Sequence, residues 1–178
     1  MDMTIPDCDR ETFKALKFAI ESEKQALLGY INLALKTVDI YGKNMLLRIA
    51  RDEFAHMEAL ENELEHCLES KDWKNIDLEK SDIETIAPKV SQYVGKIRGK
   101  EGVTEIDALE IALKQEKEAI NFYKEQAENT NNPKAKKLFK RLVEMETAHY
   151  DLILAELDYI KQTGFWFGIP EFSMENRI

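Results

Sequence analysis

Each of the three histidines in this chain stands three residues after a glutamate: Glu53-Phe-Ala-His56, Glu63-Leu-Glu-His66 and Glu146-Thr-Ala-His149. On a helix, positions i and i+3 share a face, so such a carboxylate and imidazole can reach one cation together. Two of the pairs are accompanied by a second pattern. Glu23-Lys-Gln-Ala26-Leu-Leu-Gly-Tyr30 matches Glu116-Lys-Glu-Ala119-Ile-Asn-Phe-Tyr123, an offset of 116 − 23 = 93, and Glu53 and His56 match Glu146 and His149 at the same offset. The third pair has no such company. Leu33 and Tyr159 occupy the positions that a repeat would require, and His66 lies about 15 Å further along its helix than His56. His66 is therefore read as a surface histidine.

The candidate site is thus Glu23, Glu53, His56, Glu116, Glu146 and His149, and all six interrupt apolar stripes. Burying an ionised carboxylate without a partner costs several kcal/mol, and four together raise one another's pKa values. Two divalent cations would cancel four negative charges, so the expected chemistry is that of a dinuclear metal centre. Tyr30 and Tyr123 follow a glutamate by seven residues, two turns on along the same face. Each is either a core tyrosine or a hydroxyl donor that orients a ligand carboxylate. Ala26 and Ala119 make room beside the cluster, or are ordinary small-residue packing.

Four amphipathic helices are needed to carry these groups. Apolar residues recur at three- and four-residue steps over about Arg10 to Val38, Lys43 to Glu69, Glu105 to Glu128 and Pro133 to Gln162. The first stripe is Phe13, Leu16, Ile20, Leu27, Tyr30, Ala34 and Val38. Asp9, Thr104 and Asn132 read as N-caps, with Pro133 at the first helical position and Gly164 as a stop. Gly42 and the stretch Asn129 to Asn132 read as the short turns of two antiparallel hairpins. The expected organisation is a single domain over residues 1–178: hairpin 10–69, crossover 70–103, hairpin 104–163 and tail 164–178. The crossover, with one or two short helices around Ile83 to Val94, is long enough to start the second hairpin at the opposite end of the bundle. The aromatic tail (Phe165, Trp166, Phe167, Phe172) is expected to dock on the bundle or on a second subunit.

Composition sets the outer limits. At 178 residues with 44% hydrophobic and 33% charged residues, the chain suits one helix-rich domain. A net charge of −9 argues against a nucleic-acid or anionic-membrane partner and favours cation uptake. The start of the chain lacks a signal-peptide pattern, and no apolar run is long enough to span a bilayer. Cys8 and Cys67, the only cysteines, are read as isolated thiols that build neither a disulfide framework nor a Cys-x-x-Cys site. The cytoplasm is the expected location.

The constellation of two Glu-x-x-Ala-x-x-x-Tyr helices and two Glu-x-x-His helices resembles the rubrerythrin and ferritin-like di-metal carboxylate family, over the four helices. The resemblance implies an all-α, ferritin-like four-helix bundle made of two hairpins joined by a long crossover. It implies two iron ions, with manganese or a mixed pair as alternatives and zinc as a substitute in purified protein. Glu23 and Glu116 would be terminal ligands, Glu53 and Glu146 would bridge, and His56 and His149 would each take one metal. The chemistry implied is reduction of hydrogen peroxide or oxygen by a diferrous centre in a homodimer, with non-catalytic iron binding, buffering or storage as the alternative. Two departures stand out. The paired Cys-x-x-Cys of a rubredoxin segment is missing, so electrons would come from a separate donor. A further carboxylate three residues after the third helix's ligand is replaced by Ala119, which makes the ligand set the more symmetric ferritin-like type.

Overall fold

The computed structural model describes residues 8, 10–70, 72–76, 78–81, 83–84 and 103–167, the side chains of 103–105 excepted. Four helices form two hairpins: α1 (Arg10–Lys36) with α2 (Ile40–Ser70), and α3 (Val103–Asn129) with α4 (Pro133–Thr163). Among the described residues there is no strand, and no helix is long and apolar enough to cross a membrane.

The helix ends follow from local chemistry. Asp39 caps α2, its Oδ1 accepting from the Tyr41 and Gly42 amides at 2.8 and 3.1 Å. Asn132 caps α4 through the Lys134 and Ala135 amides, with Pro133 next in line. Gly164 closes α4 in the left-handed conformation (φ 77°), its amide bonded to the Ile160 carbonyl. Thr104 lies inside α3 rather than before it, and the proposed cap Asp9 lies outside the described residues.

Two expectations on the first hairpin need correction. Gly42 is not the turn; it sits in the first turn of α2, where a Cβ would fall 2.4 Å from the Trp166 ring. Its hydrogen side chain is there to admit an indole. Val38 follows the end of α1 and is 91% exposed, so the stripe ends at Ala34.

A third correction concerns the cysteines. Cys8 and Cys67 are joined in a disulfide that ties the segment before α1 to the last turns of α2. Both are buried.

The core has two apolar parts with a polar layer between them. One part contains Tyr30, Leu46, Ile49, Leu109, Leu152 and Trp166. The other contains Leu16, Leu60, Tyr123, Phe139, Leu142, Trp73 and the disulfide. Each fully buried leucine or isoleucine contributes about 1.5–3 kcal/mol, which offsets the cost of the charged layer they enclose. The crossover runs along the bundle, since Trp73 belongs to one apolar part and Ile83 to the other. Arg141 on α4 pins it there, bonding the Leu78 and Glu79 carbonyls at 3.1 and 3.0 Å and clasping Glu84 with two nitrogens. Trp166 and Phe167 of the tail also dock on the bundle; Phe172 and the rest of 168–178 lie outside the described residues.

Candidate metal centre

The polar layer is made of the six residues singled out by spacing, and all six are buried. Each helix delivers its group one or two turns from apolar neighbours of both core parts. Glu23 lies between Ala19 and Tyr30, and Glu53 and His56 between Ile49 and Leu60. Glu116 lies between Ala112 and Tyr123, and Glu146 and His149 between Leu142 and Leu152.

The oxygens of Glu53 and Glu146 are divided between the two imidazoles. Glu53 Oε2 lies 3.3 Å from His56 Nδ1 and its Oε1 lies 3.1 Å from His149 Nδ1. Glu146 Oε1 lies 2.9 Å from His56 Nδ1 and its Oε2 lies 3.3 Å from His149 Nδ1. Glu23 approaches only His56 (3.4 Å), and Glu116 only His149 (3.8 Å). The result is two four-donor groups, Glu23–Glu53–His56–Glu146 and Glu53–Glu116–Glu146–His149, each with its donor atoms within 4.8 Å of one another. Two carboxylates are common to both. The imidazoles lie 5.6 Å apart and nearly parallel.

The tyrosines cross the midline. Tyr30 of the first hairpin donates its hydroxyl to Glu116 of the second, and Tyr123 donates to Glu23. Burial, reinforced by the carboxylates each one meets, pushes both phenols well above their ordinary range, so they stay protonated.

One buried group in contact with the cluster was not anticipated. Asp52, next to Glu53, places Oδ2 3.5 Å from His149 Nε2, behind the nitrogen that faces the cluster. A carboxylate in that position fixes the ring's orientation and tautomer. Its place in the repeat is taken by Met145, so His56 has no equivalent. Asp52 falls three residues after Ile49 and four before His56, so helical spacing alone turns it inward; what it lacks is a charged counterpart in the repeat.

The electrostatics describe a cluster that holds protons where cations would sit. Burial lifts the Glu23 and Glu116 carboxyls well above the ordinary range, and the charges of Glu53 and Glu146 lift them further. Burial pushes Glu53 and Glu146 the same way, but the imidazoles facing them outweigh it and hold both low. The carboxylates in turn overcome burial at His56 and His149 and raise both well above the usual imidazole range.

The donor set fits a metal pair on an independent observation. Among the described residues, Glu53 Oε1 and Oε2, His56 Nδ1 and Nε2, Glu116 Oε2, Glu146 Oε1 and His149 Nδ1 are buried without a hydrogen-bond partner. Buried polar atoms are rarely left so. All of them belong to residues of the two donor groups, and carboxylate with imidazole suits iron, manganese or zinc.

A groove of about 640 Å³ between α1 and α3 opens onto Glu23, Glu53, Glu116 and Glu146. Ala26 and Ala119 line it, which gives these small residues a use, and Phe18 and Phe122 meet at 4.9 Å along it. Phe18 precedes Glu23 whereas Phe122 follows Glu116, so α1 and α3 run antiparallel. His66 is half-buried near the foot of α2 and belongs to neither donor group.

Comparison with known proteins agrees with this picture. The family model described as Rubrerythrin matches residues 14–157, which spans all six residues of the cluster. No curated protein and no solved structure gives a significant match.

Proposed function

The chain belongs to the rubrerythrin family, and on that footing we propose that it is a di-iron oxidoreductase that reduces hydrogen peroxide or oxygen. The observation that carries this reading is the sharing of Glu53 and Glu146 between two donor groups. Glu23 and His56 would complete one iron position, and Glu116 and His149 the other. A ferrous pair held there supplies two electrons to the oxidant.

The protein's own contribution is access, orientation and charge. The groove between α1 and α3 reaches the carboxylates, while neither histidine lines it. The imidazoles therefore hold the far side, and the carboxylate side meets the incoming molecule. Glu21, Glu118 and Glu125 on the groove walls favour cations and neutral molecules over anions, which suits both iron entry and peroxide. Tyr30 and Tyr123 keep Glu116 and Glu23 in place by hydrogen bonds to the oxygens they meet. Holding divalent cations would require these carboxyls and imidazoles to give up their protons, so affinity would fall as pH falls. With no rubredoxin-type Cys-x-x-Cys pair in the chain, the electrons would come ultimately from a separate donor.

The test is to load the protein with Fe(II) under anaerobic conditions and add peroxide. The expected result is fast growth of diferric absorption, saturating at two iron ions per chain. Oxidation no faster than that of free Fe(II) would rule the reading out, and iron uptake far beyond two per chain would replace it with storage.

A further inference from the structure

We propose that Cys8 and Cys67 are a redox-active pair that supplies two electrons to the metal centre along the aromatic series Trp73–Phe139–Tyr123. The inference rests on the di-iron reading above and adds an electron source within the chain. Three observations at one end of the bundle support it.

The first is a continuous aromatic route. Tyr123 donates its hydroxyl to Glu23, its ring lies 6.2 Å from Phe139 in near-parallel orientation, and Phe139 meets Trp73 edge-on at 5.7 Å. Trp73 shares its apolar cluster with both cysteines. The second is a carboxyl group beside the sulfur. Glu63 is fully buried, and its Oε1 lies 3.9 Å from Cys67 Sγ while accepting the Lys74 amide, next in sequence to Trp73. Its Oε2 is buried without a partner. An unsatisfied carboxyl oxygen in a core calls for an explanation, and a thiol that must lose its proton before oxidation provides one.

The third observation is an internal control. The repeat places Tyr30 and Trp166 at the other end, with Glu156 in the position of Glu63. There Leu46 replaces Phe139 and Ile160 replaces Cys67. The route and the sulfur are both missing from the same end.

The step balances. Two thiols lose two protons and two electrons as the S–S bond forms, and the electrons reduce two Fe(III) to two Fe(II). Glu63 takes the Cys67 proton and water takes the other. Together with peroxide reduction, the sum is two thiols plus H2O2 giving one disulfide and two waters. A dithiol reductant then restores the pair. In reducing compartments, the disulfides that do occur are mostly transient and redox-active.

The experiment counts thiols by alkylation and mass spectrometry. Protein with the pair reduced and two Fe(II) bound receives one equivalent of peroxide. The expected result is a rise in diferric absorption, followed by its decay as both thiols disappear. Phe139→Leu, which copies the other end, should slow thiol loss several-fold, and Trp73→Leu should do the same if the first variant folds poorly. Diferric absorption that persists beside intact thiols overturns the cysteine pathway and leaves the iron reading standing. Absence of any diferric absorption overturns both. Equal thiol loss in metal-free protein overturns the pathway by showing direct attack. The metal-free protein equilibrated in reducing glutathione should open the pair; a bridge that stays closed is a structural staple, and the proposal fails.

Discussion

The hairpins α1–α2 and α3–α4 are two versions of one design, and they agree in some layers and differ in others. Nearest the cluster they agree. Glu23, Glu53 and His56 have counterparts in Glu116, Glu146 and His149, and each tyrosine reaches across to the other hairpin's terminal glutamate. The same agreement reaches the ends of the bundle: buried Glu63 accepts the amide of Lys74 and buried Glu156 that of Phe167, each eleven residues on. Trp73 and Trp166 are buried beside those amides. The differences are interspersed with these matches. Asp52 stands opposite Met145, Phe139 opposite Leu46 and Cys67 opposite Ile160. Duplicated residues hold charge and chain in place, while the unmatched ones give each half a different environment around the same ligands.

The largest expected effect tests the agreement. Glu53→Ala and Glu146→Ala each remove a donor from both groups, so each should cut bound metal from two ions per chain to one or none. Elemental analysis of the purified variants measures this. Retention of two ions by one variant and loss by the other would break the equivalence of the hairpins.

A smaller effect separates the two buried glutamates at the ends. Burial, partly countered by the Phe167 amide and assisted by Asp39, pushes the Glu156 carboxyl up to about 8. The folded state therefore holds a proton that the unfolded chain has released, and stability is lost as pH rises from about 4.5 to about 8. Glu156→Gln should remove that slope. Relative to the parent, the variant should gain up to about 5 kcal/mol at pH 8.5, at about 1.4 kcal/mol per pKa unit, and little at pH 4.5. Urea unfolding of the metal-free proteins at both pH values is the check, and parallel behaviour would mean that burial does not govern this group.

The smallest effect sharpens the asymmetry. Asp52→Asn should weaken metal binding on the His149 side by about 10- to 100-fold, whereas Met145→Leu should leave the His56 side unchanged. Stepwise metal titration resolves the two sites. Equal weakening of both would show that Asp52 does not act through His149.

Much of this was legible in the sequence because helical periodicity converts spacing into direction. Charges that interrupt an apolar stripe must face inward, and a common offset of 93 sets two such interruptions at one height. Asn132-Pro133 and Gly164 were equally readable, since their conformational preferences act locally. What escaped depended on distant partners. Cys8 and Cys67 are separated by 59 residues, and nothing local announces their meeting. Gly42 looked like a turn because glycine serves both bends and close approaches, and only the position of Trp166 decides which. Glu63 and Glu156 obey the same offset as the cluster, but His66 after Glu63 is answered by Tyr159 after Glu156, so the pair did not read as ligands. Asp52 shares the inward spacing of Ile49 and His56, but Met145 at the offset position hid its role.

The hydroxyls of Tyr30 and Tyr123 have a consequence for ancestry and for construction. Neither hairpin finishes its own half: the glutamate of one is steadied by the phenol of the other. One such hairpin paired head to tail with an identical copy would reproduce both steadying contacts and all six donors. A gene of half this length could therefore have encoded a working centre, and joining two copies freed each to drift. Unequal surroundings are what a fused pair can acquire and an identical pair cannot.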